Sequence, residues 1–501
     1  MVTRWTVRAL VCGAVLASQL AHADFRLGLK EYTSGNYEAA HAQFLALAEL
    51  GDGASQFNLG AMALQGQAAP KDVGLGVGWL LAAADNGYLN MPAEKLAAMK
   101  SKLKEDQLRV AQDIFDRYGH AALLKTVLPP ANFGVYCGDT LPSHAIQVPP
   151  LEYPSFQAND RHDGIVILEL TIGADGIARD PEVLMAAPKE DFPAAAVKSW
   201  LQGRFQPAMR SGVPIESRQQ VKAVFTMDGG GVLWSSGALR KVVDASNSGD
   251  PQAQYLIGLA GTLDPSLRIA TEKARQLLLS AAQGGQPQAQ YWVGRRFAEM
   301  ARCGQEGKES LWLQQAATSG DGPAQVTLAT NLLSAGASAD HIAQAKALLA
   351  QAAQSDSFYV RKHVVALMAS SPIEGIRDPV TALAVARKLA NGEIQVDPQM
   401  FEAVAVAYAI NANFSSAVSN QETAIKKAKT LYWNTSLMEE RLKSYQASQA
   451  WTGELFTLPP ASDKPPPLKE TAKPCISGAP HCKERTQPDA PKAPMGSRLP
   501  Q

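Results

Sequence analysis

Apolar positions in this chain recur mostly at intervals of three, four and seven, the spacing of amphipathic helices that bury one stripe. Three stretches align on one another: GDPQAQYLIGLA from Gly249, GQPQAQYWVGRR from Gly285 and GDGPAQVTLATN from Gly320, spaced 36 and 35 residues apart. Alanine pairs precede the second and third (Ala281–Ala282, Ala316–Ala317), and a degenerate copy follows Ala352–Ala353. The same pattern opens with GDGASQFNLGAM from Gly51, and Ala83–Ala84 lies ahead of Gly87. Each unit predicts two antiparallel helices, with Gly closing one in the left-handed region and Pro suiting the first turn of the next. A single pair cannot bury its stripe, so neighbours must stack into a solenoid.

Two stretches qualify that picture. GQAAPKDVGLGVGW places Gly74, Gly76 and Gly78 where a helix is due, at roughly 1 kcal/mol each against Ala, so a frayed or late-starting helix is expected. EKLAAMKSKLKEDQLRVAQDIFDRYG, 94–119, reads as a helical hairpin or one long helix.

The period then changes from 3.6 to 2. In GIVILELTIGADG, from Gly164, Val166, Leu168, Leu170 and Ile172 share one face and Ile167, Glu169 and Thr171 the other, which predicts a half-buried strand. Ala174-Asp175-Gly176 is tight-turn chemistry, and IARDPEVLMAAP returns as a second strand. DFPAAAVKSWLQG reads as a helix with Asp191 as N-cap candidate, and VKAVFTM, 221–227, as a last strand.

Both textures carry family resemblances. The GDxxAQ unit with its alanine pair and period near 36 resembles the Sel-one-like repeat, over roughly 24–130 and 240–372, and 373–455 resembles tetratricopeptide-type helices. The segment 137–230 resembles the C-terminal domain of TonB, the periplasmic energy transducer. The matching residues are Tyr153-Pro154, Gly164, Val166, Asp175-Gly176, Phe192, Ala195-Ala196, Trp200, Arg204-Phe205, Pro207-Ala208, Gly212, Pro214 and the final strand. That resemblance implies an open sheet edge that captures an extended peptide, the TonB box of an outer-membrane transporter, through backbone pairing. Here the edge is Ser217, Arg218, Gln219, Gln220, Val221, Lys222, Ala223, Val224, Phe225, Thr226 and Met227. Tyr153, Phe192, Trp200 and Phe205 read as core aromatics rather than ligand contacts. The expected fold class is mainly α: helical-repeat (α-solenoid) blocks flanking a small α+β TonB C-terminal-like domain, with a disordered C-terminal tail.

Composition changes the picture at the two ends. Arg4 and Arg8 followed by ALVCGAVLASQL and Ala21-His22-Ala23 read as a secretory signal peptide, 1–23, cut between Ala23 and Asp24. The expected location is the periplasm, with no membrane span after signal removal. An inner-membrane anchor through an uncleaved N-terminus is the alternative, because SQLAH, 18–22, resembles the Ser-x-x-x-His spacing of TonB anchor helices. The tail, 456–501, is Pro- and Lys-rich and lacks the apolar content to order itself. Its CISGAPHC places Cys475 and Cys482 where a disulfide closes a small loop, while pairing with Cys137 and Cys303 or free thiols remain open alternatives.

Formal net charge is zero, so no basic field recruits nucleic acid. No H-E-x-x-H, G-x-S-x-G or Walker loop occurs, and the eight histidines are scattered. The reading is a non-enzymatic protein without cofactor or metal: a periplasmic protein–protein interaction scaffold or adaptor. An accessory or atypical energy transducer docking TonB-dependent outer-membrane receptors is the alternative. Partners are proteins or extended peptides, and the open edge also permits a homodimer.

Overall fold

Each letter of the repeated GDxxAQ motif does separate physical work. Asp52 accepts the backbone N–H of Ser55 at 2.9 Å, Asp250 that of Ala253 at 2.7 Å and Asp321 that of Ala324 at 2.8 Å, so the Asp caps the incoming helix. Gly51, Gly249, Gly285 and Gly320 take φ of +90°, +87°, +82° and +89°, a turn that a side chain would strain. The Gln reaches eight residues back to an alanine at the end of the preceding helix. Gln56 Nε2 donates to the Ala48 carbonyl at 2.9 Å, Gln290 to Ala282 at 3.2 Å and Gln325 to Ala317 at 3.1 Å. Those alanines are buried where the two helices approach.

The computed structural model describes residues 25–88, 91–126, 140–154, 164–187, 192–225, 237–263, 267–301, 309–334 and 338–457. The expected signal with its expected cleavage pair Ala23 and Asp24, the N-cap candidate Asp191, Thr226, Met227 and the cysteines Cys137, Cys303, Cys475 and Cys482 lie outside those residues. The first block holds α1 (Phe25–Thr33), α2 (Tyr37–Ala48), α3 (Gly53–Gln65), α4 (Val73–Asp85), α5 (Ala93–Lys100), α6 (Glu105–Tyr118) and α7 (His120–Thr126). The stretch 94–119 is thus two helices and not one long one, each packed on α4. α4 is neither frayed nor late: it starts at Val73 under Asp72, whose carboxylate accepts the Leu75 N–H at 2.9 Å. Its glycines are contact points. A Cβ on Gly74 would stand 2.6 Å from the Gln107 carbonyl oxygen, and one on Gly78 2.9 Å from the Ala111 Cα. Propensity argued against this helix locally; close packing on α6 overrides it.

The inserted domain holds β1 (Thr140–Leu141), β2 (His144–Gln147), β3 (Gly164–Ile172), β4 (Ala178–Ala187), α8 (Phe192–Leu201), β5 (Arg204–Gln206), β6 (Ala208–Arg210), β7 (Val213–Ile215) and β8 (Ser217–Phe225). The three long strands form an antiparallel sheet in the order β4-β3-β8, beside two small sheets, β1-β6-β7 and β2-β5. Strand, strand, helix, strand is the order read from the sequence; the five short strands are additions. Then come α9 (Gly237–Asn247), α10 (Pro251–Leu263), α11 (Thr271–Gln283), α12 (Pro287–Ala301), α13 (Glu309–Thr318), α14 (Gly322–Ser334), α15 (Ala339–Ala352), α16 (Phe358–Ser370), α17 (Pro379–Ala390), α18 (Pro398–Ile410), α19 (Phe414–Thr430) and α20 (Ser436–Gln446).

The insert does not separate the helical blocks. Gln283 Nε2 donates to the Gly51 carbonyl at 3.2 Å, and Leu50 and Leu123 share one core with Tyr255, Leu259 and Leu278. Repeats nearly two hundred positions apart therefore stack as neighbours, with the small domain looped out between them. That domain folds back onto the helices. Val166, Leu168 and Ile172 pack with Phe192, Val197 and Leu201 in a core that Trp433 and Met438 join, while Ile167 packs with Leu259, Trp292 and Phe297. The expectation of a half-buried β3 is therefore corrected: both faces are covered, and Ile167 and Glu169 are 0% and 1% exposed. Repeat helices occupy the face that alternation assigned to solvent.

Candidate functional site

β8 pairs with β3 along its whole length, from Ile172 opposite Ser217 to Gly164 opposite Phe225. No strand borders its other side among the described residues, so Ser217–Phe225 is a nine-residue sheet edge. Val221, Ala223 and Phe225 point into the core. Phe225 stacks near Phe192 at 4.6 Å between ring centroids, and Tyr153 meets both rings edge-on at 5.6 and 6.0 Å. The four aromatics read as core residues do pack as such, with Trp200 6.2 Å from Phe205. Arg204 folds over the end of α8, donating to the Gln202 and Gly203 carbonyls at 3.1 and 3.0 Å, and faces the Tyr432 ring at 4.8 Å.

The alternate residues of β8 turn toward the repeats, and Arg218 is not a free edge side chain. Its Nε donates to Glu169 at 2.9 Å, one terminal nitrogen to Glu182 at 2.8 Å, and the other lies 3.5 Å from Asp180. Gln220 Nε2 reaches Glu169 at 3.4 Å. From α12, Arg295 closes on the same Glu169 and lies 3.6 Å from Glu182. From α16, Lys362 Nζ stands 2.9 Å from Asp180 and 2.7 Å from Asp397, and His363 Nε2 meets Asp180 at 2.8 Å. Sheet and solenoid are thus fastened by a buried ionic chain through α12, α16 and the N-cap of α18. Sequence reasoning missed it entirely, apart from naming Arg218 and Gln220 as edge residues.

The charges explain which carboxyl takes up a proton most readily. Four acids (Glu169, Asp180, Glu182, Asp397) face three full cations (Arg218, Arg295, Lys362). Burial pushes Glu182 up to about 7, against Arg218 and Arg295, with the Glu169 charge adding to the rise. Burial also acts on Glu169 and Asp180, but there the cations win: Arg295 and Arg218 hold Glu169 low, and Lys362 and His363 hold Asp180 well below the usual range. Because the folded Glu182 binds its proton more tightly than the unfolded one, its stabilising contribution is complete below its ordinary value of 4.5 and drains away as pH rises toward 7. One such proton gives a slope of at most about 1.4 kcal/mol per pH unit. Thermal melts of Glu182→Gln should therefore lose part of the decline between pH 5 and 8; an unchanged profile would place the proton elsewhere. Asp52, raised by burial to about 6, adds to the same decline and remains in the variant.

Among the described residues no group of His, Cys, Asp and Glu is arranged to hold a metal ion. What the site offers is backbone: an edge of N–H and C=O groups on a sheet braced from behind, in a chain of stacked helix pairs around a small α+β domain. Residues 149–227 match the family model of the Gram-negative bacterial TonB protein C-terminal, a domain of the protein-interaction kind associated with the cell envelope. The chain combines that domain with stacked helix pairs built on the GDxxAQ motif. No curated protein matches the chain. Among solved structures, a protective antigen present in uropathogenic Escherichia coli strains, described as displaying an SLR fold, aligns over 85% of this chain and 76% of that one. The identity is 15% and the TM-score 0.27, a superposition too loose to carry any inference. No helix among the described residues is long and apolar enough to cross a membrane.

Proposed function

We propose that this protein is a non-catalytic scaffold of the periplasm that captures an extended segment of a partner protein on the free edge of β8. The observation that carries this reading is an edge strand paired, among the described residues, on one side only and anchored by the Glu169–Arg218–Arg295 cluster. A strand so braced accepts a partner's backbone without ordering itself first, which lowers the entropic penalty of capture. The repeats supply further surface for folded partners. The match of 149–227 to the TonB C-terminal family favours one kind of partner, the N-terminal box of a TonB-dependent outer-membrane receptor. A second copy of this chain can satisfy the same edge.

The test is site-directed photo-crosslinking in the intact protein, with the reactive residue at Val224, outside the Glu169 cluster. Recovery of such a receptor, lost when its box is deleted, supports docking. A crosslinked homodimer reassigns the edge to self-association, and adducts only from probes on the repeats would overturn the β8 reading.

A further inference from the structure

The sheet has a second edge. β4 pairs only with β3 among the described residues, so its outer backbone groups are without a strand partner there. Edge strands are normally guarded by charge, proline or a bulge. In β4 the charges and the proline stand in the first half, Arg179, Asp180, Pro181 and Glu182, where the ladder also shifts; the second half carries one more shift, at Leu184. From Val183 to Ala187 the edge is VLMAA, with neither charge nor proline. It lines a cleft of about 970 Å³ whose other walls are repeat helices. That volume sits at the upper end of ligand pockets, roughly 300–1,000 Å³.

The far wall is apolar: Leu256 and Ile257 from α10, Phe358 from the start of α16, Leu389 from α17 and Ile394 beyond it. Charge is confined to a few groups, and Arg361 is already occupied by Asp356 and by the Ser355 carbonyl at 2.9 Å. The wall opposite the edge excludes a second folded sheet, so another copy of this domain cannot add here. A single extended chain can. Its backbone would pair with β4, and alternate side chains would enter the apolar wall. The chain's own segment after Thr457 is poorly suited, since Pro459, Pro460, Pro465, Pro466 and Pro467 cannot donate to a ladder.

We infer that this cleft is a second peptide site, in which an extended, uncharged, apolar-alternating segment of a partner protein adds as a strand to Val183–Ala187. The inference is independent of the β8 reading and fails separately from it. The probe is a capped, fluorescein-labelled nonapeptide of alternating Val and Thr with a lysine at each end, and benzoylphenylalanine at its centre for crosslinking. With the intact protein, adducts are expected on Val183–Ala187 and Leu256. Ala187→Arg, at the exposed end of the strand, and Leu256→Glu, on the opposite wall, should each weaken the anisotropy-measured affinity at least tenfold. Circular dichroism melts of Ala187→Arg should match the parent. Adducts confined to 217–225 would overturn the inference and leave the β8 reading standing. Affinity unchanged in both variants, or binding only after removal of residues 458–501, would also overturn it, the latter by making the tail the occupant.

Discussion

Arg218→Met is expected to destabilise the protein by roughly 3–5 kcal/mol, because it strips the shared cation from buried carboxylates that cannot reach water. Glu169 and Glu182 are 1% and 2% exposed, and Arg218 bonds both while approaching Asp180. Arg295 remains on Glu169, yet Glu182 and Asp180 lose their link to β8. The pair Arg218–Glu169 alone would be an ordinary buried bridge, whose formation is close to neutral against apolar substitutes; removing one partner is the costly event. Two further measurements separate this from lost packing against Tyr359, which the Arg218 guanidinium faces at 5.6 Å. The deficit should narrow at pH 5, where Glu182 takes up a proton in both proteins. Arg218→Met combined with Glu182→Gln should recover part of the loss, since one of the stranded carboxylates has gone. Urea unfolding followed by tryptophan fluorescence reads all of these. A loss within about 1 kcal/mol, independent of pH, would mean that the cluster is solvated and that sheet and solenoid are held by apolar contact alone.

The contrast between what the sequence disclosed and what it hid follows from distance along the chain. Glycine at the turn and aspartate at the cap act within three residues, so GDxxAQ announces its helix pair wherever the Asp is kept, at Asp52, Asp250 and Asp321. The long strands announce themselves because nine residues of alternation are enough to establish a period. Strands of two to four residues, β1, β2 and β5 to β7, are too short for that. Glu169 was assigned to a solvent face by the same alternation that identified β3, and its true neighbour, Arg295, lies 126 residues further on. Nothing local distinguishes a polar residue facing water from one facing a buried guanidinium. The same limit misjudged α4, whose glycines weaken the helix locally while admitting α6. The candidate edge was legible as a strand, but that Arg218 is withdrawn from it and that β4 supplies a second edge inside a cleft depend on how the helices wrap the insert.

Leu123→Ala tests that wrapping at its joint, with an expected loss of about 2–5 kcal/mol for a large-to-small change in a closed core. Leu123 is 1% exposed on α7, in a core built from both blocks: Leu50 on one side, Tyr255, Leu259 and Leu278 on the other. A Cβ placed on Gly51 would stand 2.6 Å from its methyl, and the Gln283 amide bonds the Gly51 carbonyl beside it. The cavity therefore opens between repeats and not within one. Hydrogen exchange should reveal faster opening on both sides, in α3 and in α10 and α11, although α10 begins more than a hundred residues away in sequence. Ile114→Ala is the matched control, since Ile114 packs with Phe44, Leu59, Met62 and Trp79 wholly inside the first block. It should loosen α2 to α4 and leave α10 and α11 protected. If Leu123→Ala behaves like that control, the blocks are independent and the small domain is a linker between them. If protection falls on both sides together, the solenoid is one cooperative stack, and the β8 and β4 edges are both presented by a single braced body.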